Sequence, residues 1–569
     1  MKAIAIWGLK SYDVLNYKIN CPILEILVLS FNVSGDVKVS YECLQSLEKL
    51  KTLSILNLDE WDKGILPLPE SLKSLKNIQT LCLRGYDLGD ISVVEQLQAL
   101  EILDLRSSSF DDLPVGIVGL KKLKLLDLYK CVIKKNTTVE AYKVVGKCLQ
   151  IEELYLYLSN YVMDFPHEVS YSKLQRYAII NTDYYYHDCD FQDNTIMKKY
   201  AKSRSLLIKS FDITTQNLIS LPIKDLFIRA EYLCLRNLRG DYKNIIPSMD
   251  QQGMNQLIAL VLEHCSKIEC LIDNTINTST SVDFRQTEDV FSTLVYLSLR
   301  GLHNLQEMFC DPCYRCSLQN LEELLIEDCS KFNNISFPKS SNLCNLKILS
   351  ISKCPVLTYL FMPSIVQTLS LLEVLKISSC SALRHIIEEV EEENYALAST
   401  KRLQKLRILE IEDCHNLEYI FTVILAQGLV SLENVKIVSN MKLKYVFGSE
   451  KEHNLAVYQS FHQQTNISIN LPNLDTLNLM FLPNVIRIWP EYCPLRLPCL
   501  EESLIILCPK LPNSSIDMAE TASNLEQHTI SMKTEILCLI TNIFQPQLKA
   551  FLKCRELWLR AVRMKGETD

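Results

Sequence analysis

Apolar residues recur along this chain as one repeated phrase. Between Leu346 and Leu383 the phrase occurs twice: Leu346, Leu349, Ile351, Cys354 and Leu357, then Leu372, Leu375, Ile377, Cys380 and Leu383, 26 residues further on. The pattern is L-x-x-L-x-I-x-x-C-x-x-L. Its centre alternates apolar and polar, the period of a strand with one buried face. Leu349 and Ile351 therefore point to one side, and Ser350 and Ser352 to the other. One phrase carries too few apolar residues to form a core, so neighbouring phrases must stack on it.

The same frame opens at Leu24, Leu53, Ile78, Leu100 and Leu123, at spacings of 22 to 29 residues. It continues at Ile151 and Leu174, weakly near Leu206, and at Ala230, Leu257, Leu294 and Leu321. Beyond the central pair it recurs at Leu406, Leu432 and Leu474, and in degraded form at Leu500, where Ser503 takes a core place. A phrase of this form at this period is a leucine-rich repeat. The expected fold is α/β: a curved horseshoe with a parallel sheet on its concave face and short helices or irregular segments on its convex face. The expected divisions are an irregular N-terminal edge (1–23, with a possible edge strand at Ala3 to Trp7), the repeat array (24–511), a linker (512–533) and a partial repeat (534–569). In that last part FLKCRELWLRAVR aligns without gaps on FIRAEYLCLRNLR of 227–239. The array is expected to be irregular near 183–229, with loop insertions near 274–289, 388–402 and 448–470.

Composition sharpens this reading. The chain is 48% hydrophobic and 22% charged, which fits a large buried core. A formal net charge of −8 gives no global case for nucleic acid. Many of the 22 cysteines fall at the turn after a strand: Cys131, Cys265, Cys329, Cys354, Cys380, Cys414 and Cys508. Cysteines at the repeat period are core residues that a reducing compartment keeps free. N-x-[ST] matches, Asn136, Asn277, Asn334, Asn466 and Asn513 among them, carry meaning only in a secreted chain. The N-terminus shows no signal peptide and no stretch is long enough to span a bilayer, so the expected location is cytoplasmic.

No enzyme is expected, because no constellation of acid, base and nucleophile emerges. The nearest approach to a P-loop, at Val144 to Cys148, lacks its first glycine and its Ser/Thr, so no nucleotide or other cofactor is expected. Cys310, Cys313 and Cys316, with His303 upstream, have a spacing that could ligate zinc. The plainer reading is a loop of reduced thiols, and no metal is expected.

Stacked repeats align the residue that follows the third core position. That column reads Arg84, Arg106, Tyr129, Tyr157, Arg236, Glu263, Arg300, Glu327, Ser352, Ser378 and Glu412. Its first part is basic and aromatic, and its later part is mixed and then polar or acidic. Arg and Tyr are enriched where interfaces concentrate their binding energy. The candidate protein-binding residues are therefore Arg84, Arg106, Tyr129, Tyr157, Arg236, Arg300, Glu327 and Glu412. The candidate structural core is Leu346, Leu349, Ile351, Cys354, Leu372, Leu375, Ile377 and Cys380.

From Leu24 to Leu511 the chain resembles the leucine-rich-repeat region of plant intracellular coiled-coil nucleotide-binding (NB-ARC) disease resistance proteins. The resemblance rests on VFSTLVYLSLRGLHNLQEMF (Val290 to Phe309), on the LxIxxCxxL series, and on LEYIFTVILAQGLVSLENVKI (Leu417 to Ile437). It implies a protein-binding module of innate immunity. Early repeats of such arrays hold a nucleotide-binding domain inactive, and later repeats bias which pathogen effector or guarded host protein is sensed. This chain lacks the family's nucleotide-binding domain, so no nucleotide-binding residue carries over. A substrate adaptor of a ubiquitin ligase, or an extracellular receptor-like repeat protein, would share the architecture.

Overall fold

The computed structural model describes residues 2–521 apart from 34–38, 59–63, 136–137, 159–172, 182–203, 210–223, 239, 241, 251–252, 274–289, 311–317, 334, 336–342, 389–402, 449–467, 490–494 and 513–519. The three expected insertions and the irregular 183–229 stretch fall mostly outside these residues. The linker and the terminal partial repeat do so almost entirely, and so do Asn136, Asn277, Asn334, Asn466 and Asn513.

Each phrase forms one strand, and the strands follow one another in chain order along a parallel ladder. They are β1 (Ala3–Leu9), β2 (Ile26–Phe31), β3 (Thr52–Asn57), β4 (Thr80–Arg84), β5 (Ile102–Asp104), β6 (Leu125–Ile133), β7 (Glu153–Leu158), β8 (Arg176–Asn181) and β9 (Arg204–Lys209). The ladder continues through β10 (Tyr232–Arg236), β11 (Ala259–Glu263), β12 (Tyr296–Arg300), β13 (Glu323–Glu327), β14 (Ile348–Ser352), β15 (Val374–Ser378), β16 (Ile408–Glu412), β17 (Asn434–Val438), β18 (Thr476–Met480) and β19 (Glu502–Ile506). The returning segments hold short 3-10 turns, such as Glu70–Ser74 and Val115–Gly119, and few helices, of which α1 (Thr138–Lys147) and α2 (Lys224–Arg229) are the longest described. The fold is a leucine-rich-repeat solenoid.

The core is the stack of phrase residues. Leu346, Leu349, Ile351, Cys354, Leu372, Leu375, Ile377 and Cys380 are all at most 1% exposed, while Ser350 and Ser352 between them are half-exposed. Burying each such Leu or Ile contributes about 1.5–3 kcal/mol, provided its neighbours above and below are in place. At the N-terminal end β1 forms the edge strand expected at Ala3 to Trp7: it pairs with β2, Ile4 beside Leu27 and Ile6 beside Leu29, with a register shift before Leu9. One expectation needs correcting there. The frame placed at Leu53 starts three residues earlier: Leu50, Leu53 and Ile55 are buried, whereas Leu58 is 52% exposed. Leu56 and Leu58 mimic the phrase in sequence. Pairing with β2, where Leu27 meets Leu53 and Leu29 meets Ile55, selects the other register.

Two hydrogen-bond series lock the coils together. At the start of each strand, the carbonyl of the phrase's second residue accepts the next two N–H groups of the following repeat. Glu322 O, for example, takes Lys347 N and Ile348 N, and Lys347 O takes Glu373 N and Val374 N. At the strand's end, from the Ile78 repeat onward, the eighth residue commonly turns left-handed. Gly85, Ser107, Lys130, Asn237, His264, Gly301, Asp328, Lys353, Ser379, Asp413, Ser439, Phe481 and Leu507 have φ between 48° and 79°. Only Gly85 and Gly301 are glycines, and each other residue costs about 1–2 kcal/mol there. The corner is held by its N–H, which points at the next repeat: Asp328 N donates to Ser352 O, Lys353 N to Ser378 O, and Ser379 N to Glu412 O.

The ninth residue fills the inside of that corner. It is a cysteine in seven repeats: the thiols of Cys265, Cys329, Cys354, Cys380, Cys414 and Cys508 each donate at 3.4–3.5 Å to the carbonyl two residues back, and Cys131 donates to Leu105 O at 2.9 Å. Asn440 takes the same place in the Leu432 repeat and does more. Its Nδ2 donates to Ile411 O and Val438 O, and its Oδ1 accepts from Cys414 N at 2.8 Å.

The ladder contains one fault. From β2 to β8 and from β9 to β19, each phrase stands level with its neighbours. Between β8 and β9 the register slips by two residues, so Ile179, the third core position of its phrase, sits beside Leu206, the second of the next. Side chains alternate with period two, so a slip of two leaves every inward residue inward.

Candidate protein-interaction surface

The concave face is built from the residues that alternate with the core, and the slip rearranges them. Arg84, Arg106, Tyr129 and Tyr157 share one row, as the spacing predicts. That row does not continue into Arg236. It passes from Tyr157 to Ile180, Leu207, Cys234, Val261, Ser298, Leu325, Ser350, Lys376, Glu410 and Lys436. Arg236, Glu263, Arg300, Glu327, Ser352, Ser378 and Glu412 form a second row, displaced by two residues and starting from Lys209. The single column expected from sequence is therefore two.

The first row is also not basic in the expected sense. Arg84 Nε donates to Asp104 Oδ2 at 2.9 Å, and Arg106 Nε donates to Asp127 Oδ2 at 3.1 Å. Asp104 and Asp127 are 6% and 2% exposed, so each arginine is matched by a buried carboxylate on the following strand. Burial pushes the Asp127 carboxyl above its usual range, and the hydrogen bond from Arg106 opposes that shift. The Arg106 guanidinium also lies 5.7 Å from the Tyr129 ring centroid, and the Tyr129 and Tyr157 rings are 5.5 Å apart. The result is a pre-ordered strip of planar groups, half-exposed and close to charge balance.

In the second row opposite charges alternate. Glu263 bonds Arg236 at 2.7 Å and Arg300 at 3.4 Å, and Glu327 bonds Arg300 and Lys353, each at 3.0 Å. Arg236 and Glu263 are buried, whereas Arg300 and Glu327 keep about a third of their side chains exposed. Burial works against the charge on Glu327, but Lys353 and Arg300 hold its carboxyl below the usual range. Farther along, Lys376 pairs with Glu410 and Lys436 with Glu412.

Between these charged strips lies a patch that the phrase search overlooks. Ile180, Tyr232, Cys234, Ala259, Val261 and Tyr296 occupy concave positions yet are at most 5% exposed, and Tyr129, Tyr157 and Leu325 pack against them. The signal was present. EYLCL, IALVL and VYLSL are apolar on both faces, as a strand buried on both sides requires.

Cys310 stands half-buried beside the buried Cys270, while Cys313 and Cys316 lie outside the described residues. Among the described residues no group of three or more His, Cys, Asp and Glu is arranged to hold a metal ion, and no helix is long and apolar enough to cross a membrane.

A parallel solenoid with a wide, side-chain-rich inner wall defines a leucine-rich-repeat protein, a class that typically binds other proteins and is not typically catalytic. Within that class, the family described as plant disease resistance protein RPS2-like leucine-rich repeats matches residues 205–342 and 383–532, about half of the chain. The chain belongs to that family. No curated protein matches it. Solved structures with a similar fold include a leucine-rich-repeat protein of Leptospira interrogans, 16% identical over 77% of this chain and 88% of that one, TM-score 0.34. Another is the functional domain of InlJ from Listeria monocytogenes, which includes a cysteine ladder, 15% identical over 67% and 71%, TM-score 0.39. A third is the ectodomain of the Arabidopsis receptor kinase HAESA in complex with a peptide hormone ligand, 15% identical over 84% and 78%, TM-score 0.28.

Proposed function

We propose that this chain is the protein-recognition module of a cytoplasmic plant immune receptor. In that role its early concave strip meets a nucleotide-binding domain, in the same polypeptide or supplied by another, and its later repeats meet a pathogen effector or guarded host protein. The family match carries the immune context. The observation that carries the contact is the half-exposed run Arg84, Arg106, Tyr129 and Tyr157, fixed by two buried aspartates before any partner arrives. Pre-ordering lowers the entropy lost when a partner docks.

Charge reversal at Arg106 would leave Asp127 buried and unpaired, and would confuse folding with binding. The cleaner test is the Tyr129→Ala/Tyr157→Ala double variant, which leaves both arginine–aspartate pairs in place, checked for an unchanged unfolding midpoint and titrated against the separately expressed nucleotide-binding domain of a receptor of this family. The expected result is binding weakened at least tenfold, about 1.4 kcal/mol. Equal affinity of the variant and the parent rules this contact surface out.

A further inference from the structure

The coils of β11 and β12 bring two thiols together on their returning segments. Cys270 lies five residues beyond the corner cysteine of the first coil, and Cys310 ends the matching stretch of the second. Backbone bonds fix the approach of the two stretches. Leu271 N donates to Met308 O at 3.0 Å, Ile272 N to the same carbonyl at 3.3 Å, and Cys310 N to Ile272 O at 3.0 Å. Ile272 and Phe309 stand side by side in parallel, so the thiols meet diagonally across the interface between coils. Both are free, and the Cys270 thiol donates to Cys310.

Access sets this pair apart. Cys270 is 1% exposed, whereas Cys310 is only half-buried. The other thiol contacts among the described residues, Cys354 with Cys380 and Cys380 with Cys414, join side chains that are all 0% exposed. At Cys310 a dissolved oxidant reaches one thiol while a second waits behind it, the arrangement of an oxidised and a resolving cysteine. Burial first, then the Cys310 contact and the carboxylates of Asp273 and Glu307, push the Cys270 thiol up. Burial and the carboxylates of Asp273, Glu307 and Glu269 push Cys310 up as well, against the bond from Cys270. The reduced pair therefore gains nothing from ionisation, unlike the strongly oxidising disulfides whose reduced form is stabilised.

We propose that Cys270 and Cys310 are a redox modification site, closed by hydrogen peroxide into a disulfide that staples the coil of β11 to the coil of β12. Cys310 Sγ attacks one peroxide oxygen, the O–O bond breaks, and the thiol proton joins the departing hydroxide, which leaves a sulfenic acid and one water. Cys270 Sγ then displaces the sulfenic hydroxyl, which takes the Cys270 proton and departs as a second water. Two electrons pass from the two thiols to one peroxide, and a dithiol reductant returns them. A disulfide holds its sulfurs about 2 Å apart, so the touching thiols close the remaining gap by side-chain rotation. The proposal is independent of the concave-face reading, because both thiols lie on the returning segments.

Peroxide titration of the reduced full chain tests it, with denaturation in iodoacetamide and non-reducing tandem mass mapping that resolves Cys310 from Cys313. The expected product joins the Cys270 and Cys310 peptides, is lighter than their sum by two hydrogens, and disappears on treatment with dithiothreitol. Loss of alkylatable Cys270 should match loss of alkylatable Cys310, mole for mole. In Cys310→Ala, Cys270 should stay alkylatable through the same titration; if that variant does not fold, the cross-link in the parent chain decides alone. Cys310 joined to Cys313 or Cys316, oxidised Cys310 beside a free Cys270, or undiminished oxidation of Cys270 in folded Cys310→Ala overturns the pair.

Discussion

The ninth residue of each phrase shows how little chemistry the repeat leaves to chance. A buried corner needs a small group that donates one hydrogen bond and asks for little in return, and a thiol meets that need. Burial pushes the thiols of Cys265 and Cys329 up to about 12, so both stay neutral and unreactive at any physiological pH. Native-state alkylation with iodoacetamide at pH 8, read by peptide mass mapping, should therefore label exposed Cys499 and spare Cys265, Cys329, Cys354, Cys380 and Cys414 until the chain is denatured. Asn440 is the converse case, since it fills the same corner with three hydrogen bonds. Asn440→Ala takes from Cys414 N its partner in a dry site and removes the bonds to Ile411 O and Val438 O, of which Val438 O keeps Asp413 N. It should cost about 2–3 kcal/mol in urea unfolding, whereas Asn440→Cys, which rebuilds the neighbouring geometry, should cost clearly less.

At the scale of the element, each strand is short and gains its stability from being level with the next. The fault between β8 and β9 is the exception, and the Tyr177 hydroxyl bonds across it to Leu226 O. Tyr177→Phe removes only the hydroxyl that reaches Leu226 O. The expected loss is about 1 kcal/mol. Hydrogen exchange should show it as faster exchange in α2 and in β8 and β9, with β13 to β16 unchanged. An equal change along the whole ladder would mean that the contact carries no special share of the fault. Nothing in the phrase spacing reveals the slip, because Leu174, Tyr177 and Ile179 keep the frame as well as any other repeat does. Only pairing, which compares two strands in space, distinguishes a slip of two from no slip.

Across the whole molecule, stability in a solenoid is a sum of repeats and of the interfaces between neighbours, with no long-range core to average over. A fault in one interface then divides the array. Under rising urea, exchange protection in β2 to β7 should fail at a different concentration from that in β11 to β18. A single midpoint shared by both would show that the fault transmits cooperativity as well as a regular interface does. The same geometry shapes the concave wall. Because the slip moves Arg236 and its successors two residues across the sheet, a partner long enough to touch both Arg106 and Arg300 must cross rows, with the Tyr232–Tyr296 patch between them.

The sequence by itself determined the fold class, the turn cysteines and the inward set outside the Leu53 repeat. These follow from alternation within a strand and from a period along the chain, both of which are local properties. Leu349, Ile351, Leu375 and Ile377 are buried because no other side of their strands can be. The tertiary structure alone decided which residues stand side by side. It matched Arg84 and Arg106 with buried aspartates and separated one expected column into two rows. Each of these depends on the register between strands more than twenty residues apart, and a frame that repeats every few residues looks the same in either register.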